Sequence, residues 1–224
     1  MLGRAAIAMW WDVPSEMRVE WEDWHTHEHM PERLGIPGFL RGTRWVADSG
    51  EPSYFVLYET RDLKTTTGDA YLDRLNNPTP WSRQMMAHHR NMVRSLCRVR
   101  ANFGGGVAQV VATIRFSPSP RKRGSLLKWL AADGMPPLPG RKGLAAAYLL
   151  ESLPADVPRT AEHEIRGMDA QADCVLLICG YDVEAVRGFV AEGLGELAAR
   201  GALSGRIERL YRCAYSLTSK ELRG

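Results

Sequence analysis

A repeated set of residues divides the sequence into two halves. Trp24 is followed six residues later by Met30-Pro31, and Trp129 is followed six residues later by Met135-Pro136, so the two sets stand 105 positions apart. A Pro-Gly pair follows each set. Solenoid repeats have periods of roughly 20–50 residues, which is much shorter than half of this 224-residue chain. The repeat therefore predicts two related units in one polypeptide.

Hydrophobic patterning predicts the same order of elements in both halves. In the first half we expect strands at 5–13, 39–47, 53–60 and 92–99, and helices at 15–30, 69–75 and 81–89. In the second half we expect strands at 107–116, 144–152, 174–181 and 206–216, and helices at 125–132 and 183–199. Because a proline disfavours helical geometry at the preceding residue, the first helix should end or kink at Met30.

These orders predict an α+β protein made of two ferredoxin-like β-α-β-β-α-β units. The first unit spans 1–102 and bears the histidines, a glycine-rich hinge spans 103–106, and a diverged second unit spans 107–224. A unit of this kind leaves one face of its sheet uncovered by helices. We expect the two units to stack these faces into a barrel-like core, related by a pseudo-two-fold axis.

Composition excludes several classes of protein. The net charge of +3 is too small to indicate a nucleic-acid partner, and no apolar stretch approaches the roughly 20 residues of a membrane helix. The four cysteines form no Cys-x-x-Cys pair, which is typical of buried thiols in a reducing compartment. We therefore expect a cytoplasmic protein with no nucleic-acid or membrane partner. Whether whole chains form a homodimer is left open.

Three of the six histidines lie within five residues. His25 and His29 are neighbours at i,i+4 on a helix and can reach one substrate, whereas His27 lies on another side. The second unit has Leu130 and Gly134 at the corresponding positions, so the scaffold does not need these histidines. Histidine is suited to proton transfer near neutral pH, and this pair is our candidate for it.

We assign His29 as general acid or base, with His25 beside it and Glu28 tuning the pair. The alternative is an amphipathic helix whose histidines merely lie along its wet edge. His-x3-His is also a metal-ligand spacing, but the sequence brings no third ligand to it, so we assign no metal.

Further residues are candidates for a substrate pocket. Trp24, Tyr58, Trp81 and His89 are candidates for its wall, and Arg44 is a candidate for binding the carboxylate of a substrate. The alternatives are ordinary packing for the aromatic residues, surface exposure for the histidine and a solvated outer face for the arginine.

The segment Trp-His-x-x-Glu-His-Met-Pro-Glu-Arg at 24–33, then Ile-Pro-Gly-Phe at 36–39 and a strand containing Arg44, resembles the dimeric α/β-barrel superfamily near its EthD-like branch. The resemblance implies ferredoxin-like units that pair into a barrel. It also implies that a histidine just before a proline in the first helix takes part in proton transfer. That residue resembles His29, although Met30 separates it from Pro31.

The resemblance leaves the reaction open, because members of the superfamily are monooxygenases, lactone isomerases, haem enzymes and proteins of unknown role. We expect a lyase, isomerase or cofactor-free oxygenase that acts on an organic acid or aromatic compound. The alternatives are a non-catalytic ligand-binding or stress-response protein and a haem-binding barrel protein. The expected partner is a small-molecule substrate, with no cofactor.

Overall fold

The strands of this protein close into one antiparallel barrel. The structure is a computed structural model that describes residues 1–48, 50–153, 159–167, 169–202 and 207–223. Within these ranges the strands are β1 (Ala5–Asp12), β2 (Phe39–Ala47), β3 (Tyr54–Thr60), β4 (Arg90–Gly104), β5 (Val110–Phe116), β6 (Leu144–Ser152), β7 (Cys174–Gly180) and β8 (Ile207–Thr218).

The order of strands is the same in both units, as the repeat predicts. The first unit has the order β4-β1-β3-β2 and the second has β8-β5-β7-β6, which is the ferredoxin-like order. The predicted fold class is therefore confirmed. The two sheets are also joined at their edges, because β2 pairs with β8 and β4 pairs with β6. These two pairings leave no free edge in the barrel.

The helices cover the outside of the barrel. In the described residues they are α1 (Arg18–Trp24), α2 (Met30–Leu34), α3 (Asp69–Asn76), α4 (Pro80–Met86), α5 (Arg123–Trp129), α6 (Ala161–Arg166) and α7 (Val183–Ala199), with short 3₁₀ turns at Ser15–Met17, Leu63–Thr66, Leu138–Gly140 and Glu221–Arg223. No helix in the described part of the chain is long and apolar enough to cross a membrane.

Alternate strand positions divide the core into three layers. Inward-facing residues such as Trp10, Phe55 and Tyr211 fill the barrel. Outward-facing residues of the first unit pack under α1 to α4, and those of the second unit pack under α5 and α7. The barrel is therefore a packed core, and space for a ligand has to lie between the sheet and the helices.

The join between the units is partly regular structure. β4 continues through Phe103 and Gly104, which pair with Ala147 and Ala146 of β6. Only Gly105 and Gly106 of the glycine-rich segment lie beyond the strand. The division into units at 103–106 remains a prediction, and the first half of that segment is part of the barrel wall.

Candidate functional site

A π-helical turn shapes the histidine segment. α1 ends at Trp24, the turn spans His25–His29, and the chain continues without a break into α2. The amide of Met30 donates to the carbonyl of His25, five residues back. The helix does not end at Met30, and its regular hydrogen-bonding pattern is instead interrupted by the π turn just before that residue. Pro31 lacks an amide hydrogen and its ring crowds the preceding turn, and the wider π turn accommodates it without ending the helix.

The second unit contains the same turn at the same place. It spans Leu130–Gly134, directly after α5, and the amide of Met135 donates to the carbonyl of Leu130 at 3.0 Å. The turn therefore belongs to the scaffold that both units share, whereas the histidines belong to the first unit alone.

The extra residue of the π turn places both members of the histidine pair inside the protein. His25 and His29 are 1% and 8% exposed, and their ring centroids are 5.5 Å apart. His27 faces the solvent, where its Nδ1 lies 2.9 Å from the carboxylate of Asp23. A regular helix would have left His29 on the shoulder of the buried face.

The histidine pair borders a cavity between the sheet and the helices. The cavity measures about 30 Å³, which is room for about one water molecule. Four of the predicted residues line it: His25, His29, Tyr58 and His89. The first unit supplies most of the remaining wall, and Glu162 and Arg166 come from α6 of the second unit.

Several polar atoms of the cavity wall are buried without a hydrogen-bond partner among the described residues. They are Nε2 of His25, Nδ1 of His29, Nδ1 of His89, the Tyr58 hydroxyl, Nε1 of Trp11 and Nη1 of Arg33. Buried polar groups are nearly always paired in folded proteins. This concentration of unpaired atoms around one cavity is typical of a site that binds a polar ligand.

Hydrogen bonds define the proton position on two of the rings. Arg44 Nη1, which can only donate, lies 3.4 Å from His25 Nδ1, so the neutral ring carries its proton on Nε2. Trp21 Nε1 donates to His89 Nε2 at 2.8 Å, so that ring carries its proton on Nδ1. In both rings the protonated nitrogen is the one without a partner.

The rings of His25, His29 and His89 are neutral at pH 7. Burial holds the pKa of both His25 and His29 well below the ordinary value. The positive charge of Arg44 lowers the pKa of His25 further, and that of Arg33 lowers the pKa of His29 further. Burial, with a smaller contribution from Arg166, lowers the pKa of His89 to about 3. A neutral imidazole can accept a proton as a general base, and its N–H can donate a hydrogen bond to a substrate.

Glu28 contacts other partners. Its Oε1 accepts hydrogen bonds from Trp24 Nε1 at 3.1 Å, from Ser82 Oγ at 3.1 Å and from the Thr79 hydroxyl. These bonds fasten α4 to the π turn, and Trp24 in turn lies 4.5 Å from the His29 ring, centroid to centroid. The geometry makes Glu28 a residue that positions Trp24. Its predicted tuning of the histidines remains a prediction.

Arg44 and Trp81 lie outside the cavity wall. Besides His25, Arg44 Nη1 contacts the carbonyl of Glu22 and the hydroxyl of Thr26, both at 3.1 Å. Trp81 packs at the margin of the first unit's core. Substrate binding by either residue remains a prediction, and in this structure Arg44 holds the helix against the sheet.

The sequence did not single out the charged cluster beside the histidines. Arg33 donates through Nη2 to Glu162, and Arg166 Nη1 donates to Glu162 at 3.0 Å and Nη2 to Asp169 at 2.9 Å. Burial lowers the pKa of Arg33, but Glu162, Tyr71, Glu32 and Tyr58 together raise it by more, so the guanidinium remains charged. Arg33 stands in the conspicuous 24–33 segment, whereas no local signal marks Glu162, which is 129 residues away.

Comparisons with known proteins agree on the fold. No protein-family model and no curated protein matches the sequence. An anthrone oxidase-like protein is 12% identical, with a TM-score of 0.66 over 96% of this chain and 92% of that one. A putative monooxygenase from Lactobacillus acidophilus is 10% identical, with a TM-score of 0.62 over 96% of each chain. This chain has the dimeric α/β-barrel fold. Its closeness to the EthD-like branch remains a prediction.

Among the residues that the structure describes, neither the histidine cavity nor the cavity of the second unit fits a haem as it stands. The histidine cavity has no room for a porphyrin, and the larger cavity of the second unit has no histidine or cysteine in its wall. In the described ranges no group of three His, Cys, Asp or Glu residues is arranged to hold a metal ion.

Proposed function

We propose that the first unit is the active site of a small-molecule enzyme that works by acid–base catalysis. His29 exchanges a proton with the substrate and His25 assists it. The observation that carries this proposal is a pair of neutral imidazoles, each with an unpaired ring nitrogen, in the wall of one cavity beside the buried cation of Arg33. The second unit, which keeps the π turn without the histidines, supports a specialised role for the pair.

The charges of the site favour an anionic substrate or an anionic intermediate. Arg33 Nη1 makes no hydrogen bond and has the carboxylate of Glu32 at 3.9 Å, and the Tyr58 hydroxyl at the cavity also makes no hydrogen bond. A carboxylate or enolate oxygen would accept from both donors. A negative charge at this place also offsets the arginines that depress the pKa of His29. The pKa would then rise towards the range in which proton transfer is efficient.

A substrate needs a wider cavity than the present one, so the proposal requires the histidine cavity to open before a substrate binds. α6 supplies the part of the wall that belongs to the second unit. Its Glu162 binds Arg33, and the amide of Ala161 donates to Asn76 Oδ1 at 3.2 Å. Displacing α6 would open the cavity and expose the paired donors of Arg33 to a substrate anion.

The chemistry fits a carbon acid of the organic-acid or aromatic class. Isomerisation, elimination and cofactor-free oxygenation of such a compound all begin when a base removes a proton from carbon. The names of the two structural neighbours, anthrone oxidase-like protein and putative monooxygenase, are consistent with this class. At about 10% identity these neighbours establish the fold alone, and the site residues carry the proposal.

Proton removal is measured directly by hydrogen–deuterium exchange. A panel of enolisable carboxylic acids, lactones and anthrone-type aromatics is incubated with the protein in D₂O, and loss of the carbon-bound proton is followed by NMR. General acid–base catalysis is worth about 10² to 10⁴ in rate, so His29→Ala should slow the exchange by that factor. His27→Ala is the matched control on the same turn, and should exchange at the wild-type rate.

Two results would contradict the proposal. One is an exchange rate for His29→Ala equal to that of the wild type. The other is binding of panel members to the wild type with no exchange of any of them, which would favour the ligand-binding alternative.

A further inference from the structure

The second unit has a cavity at the place where the first unit has its histidine cavity. Three lining residues stand 105 positions after residues that line the histidine cavity: Ile114, Leu130 and Gly134 correspond to Met9, His25 and His29. The two cavities are therefore equivalent positions of the repeated scaffold, each between its π turn and its sheet.

The second cavity is larger and its wall has different chemistry. It measures about 280 Å³, against about 30 Å³ for the histidine cavity. Leu130 replaces the first histidine of the pair. Gly134 replaces the second, and a Cβ at Gly134 would lie 3.2 Å from the Trp129 ring, so an aromatic ring packs where the first unit has an imidazole. Buried Leu176 and Val190 complete an apolar floor, with Trp129 and Phe189 in the wall.

The charged residues are confined to the exposed rim. Glu196 is paired with Arg200 at 3.0 Å, and the guanidinium of Arg141 lies 5.2 Å from the centroid of the Phe189 ring. Asp133 and Glu192 add two carboxylates to the same rim. The rim thus carries more negative than positive charge, which disfavours an anionic ligand.

We propose that the second unit binds an uncharged aromatic molecule of one or two rings in this cavity. An engineered apolar cavity of about 150 Å³ holds benzene, and this one is nearly twice as large. Aromatic rings on two sides suit a flat ligand, and the apolar floor offers no partner for a charged group. This site is separate from the acid–base site proposed for the first unit, and the proposal does not depend on that one.

Two glycines of α7 provide a matched pair of variants. Gly193 lines the cavity, and a Cβ there would lie 3.9 Å from Cζ of Phe189, so a larger side chain can enter the cavity without striking the backbone. Gly195 is exposed, and a Cβ there would meet nothing within 4 Å. Because both lie in the same helix, Gly193→Leu and Gly195→Leu gain similar helix propensity.

The test uses the uncharged fluorophore N-phenyl-1-naphthylamine. We expect saturable binding with one site per chain in the wild type, at least tenfold weaker binding in Gly193→Leu, and wild-type binding in Gly195→Leu. The sulfonated relative 1-anilinonaphthalene-8-sulfonate should bind at least tenfold more weakly than the uncharged probe. Thermal unfolding checks that both variants are folded.

Three results would overturn the proposal: no saturable binding by the wild type, equal binding by the two leucine variants, or equal binding of the charged and uncharged probes. Loss of binding in His29→Ala would also overturn it, because the probe would then occupy the first unit's cavity. None of these readouts depends on catalytic turnover, so this proposal can fail while the acid–base proposal stands, and the reverse.

Discussion

Replacing Glu162 with alanine tests whether the buried ion cluster holds α6 over the histidine cavity. Glu162 and Arg33 are both 3% exposed, and the variant leaves the Arg33 cation buried without its main partner. Arg166 keeps Asp169 at 2.9 Å, whereas Arg33 keeps only the more distant carboxylate of Glu32 at 3.9 Å. Breaking a buried ion pair in this way costs about 3–5 kcal/mol. At about 2–4 °C per kcal/mol for a protein of this size, the melting temperature should fall by roughly 6–20 °C.

The loss of stability cannot exceed the free energy needed to detach α6 from the barrel. Once α6 is detached, water reaches Arg33 and solvates its charge. The experiment therefore combines thermal unfolding with hydrogen exchange of the α6 amides. A large loss appears as a lower melting temperature, and a loss limited by detachment appears as faster exchange confined to α6. The double variant Glu162→Ala/Arg33→Met should recover much of either loss, because it contains no uncompensated buried cation.

Glu164→Ala is the control on the same helix. Its side chain is 66% exposed and stands 4.0 Å from Arg159, a contact worth little in water. The control should change the free energy of unfolding by less than about 0.5 kcal/mol. If Glu162→Ala equals this control in both melting temperature and exchange, the cluster does not hold α6 and the reasoning is refuted.

Two further variants test the packing of the site. Below pH 6.5 His89 becomes protonated in the unfolded chain, whereas in the folded protein it stays neutral down to about pH 3. For this residue the free energy of unfolding therefore falls by about 1.4 kcal/mol for each pH unit that the pH is lowered. His89→Gln should flatten the dependence between pH 6 and 4 by that slope in urea denaturation, and an unchanged slope would count against a buried neutral ring. In Gly42→Ala the new Cβ would lie 2.8 Å from Cε1 of Tyr58 and 3.0 Å from Cγ of Met30, which should cost about 1–3 kcal/mol. Gly105→Ala, with nothing within 4 Å, should be close to neutral in the same denaturation assay, and equal stabilities of the two variants would contradict the close approach of β2 to Met30 of α2.

The repeated residues predicted the fold because they mark the scaffold. Trp24 and Met30-Pro31 recur with a fixed spacing in the second unit, and both sets surround a π turn of the same length. The repeated spacing indicated that both units share one helical turn, but the expectation about its shape came from a rule that considers only the residue before a proline. The residue before a proline usually leaves the helical region, and that rule takes no account of a wider turn that absorbs the ring.

The closure of the barrel depended on distant pairings. The pattern of apolar residues gives the order of strands along the chain. The pairings of β2 with β8 and of β4 with β6 join strands from different units, and no local pattern marks an edge strand for a particular partner. The glycines at 104–106 indicated a flexible join, yet hydrogen bonds to β6 continue β4 as far as Gly104.

By itself the sequence predicted the order of strands and helices along each half and the histidine pair, because spacing along the chain sets which residues share a face. Only the tertiary structure decided the chemistry around that pair. Burial and the charges of Arg33 and Arg44 make the histidines neutral, and Glu162 reaches the site from the other unit. The proton affinity of a buried group depends on the charges that folding brings near it and on the water that folding removes from it. Distant parts of the chain supply those charges and exclude that water.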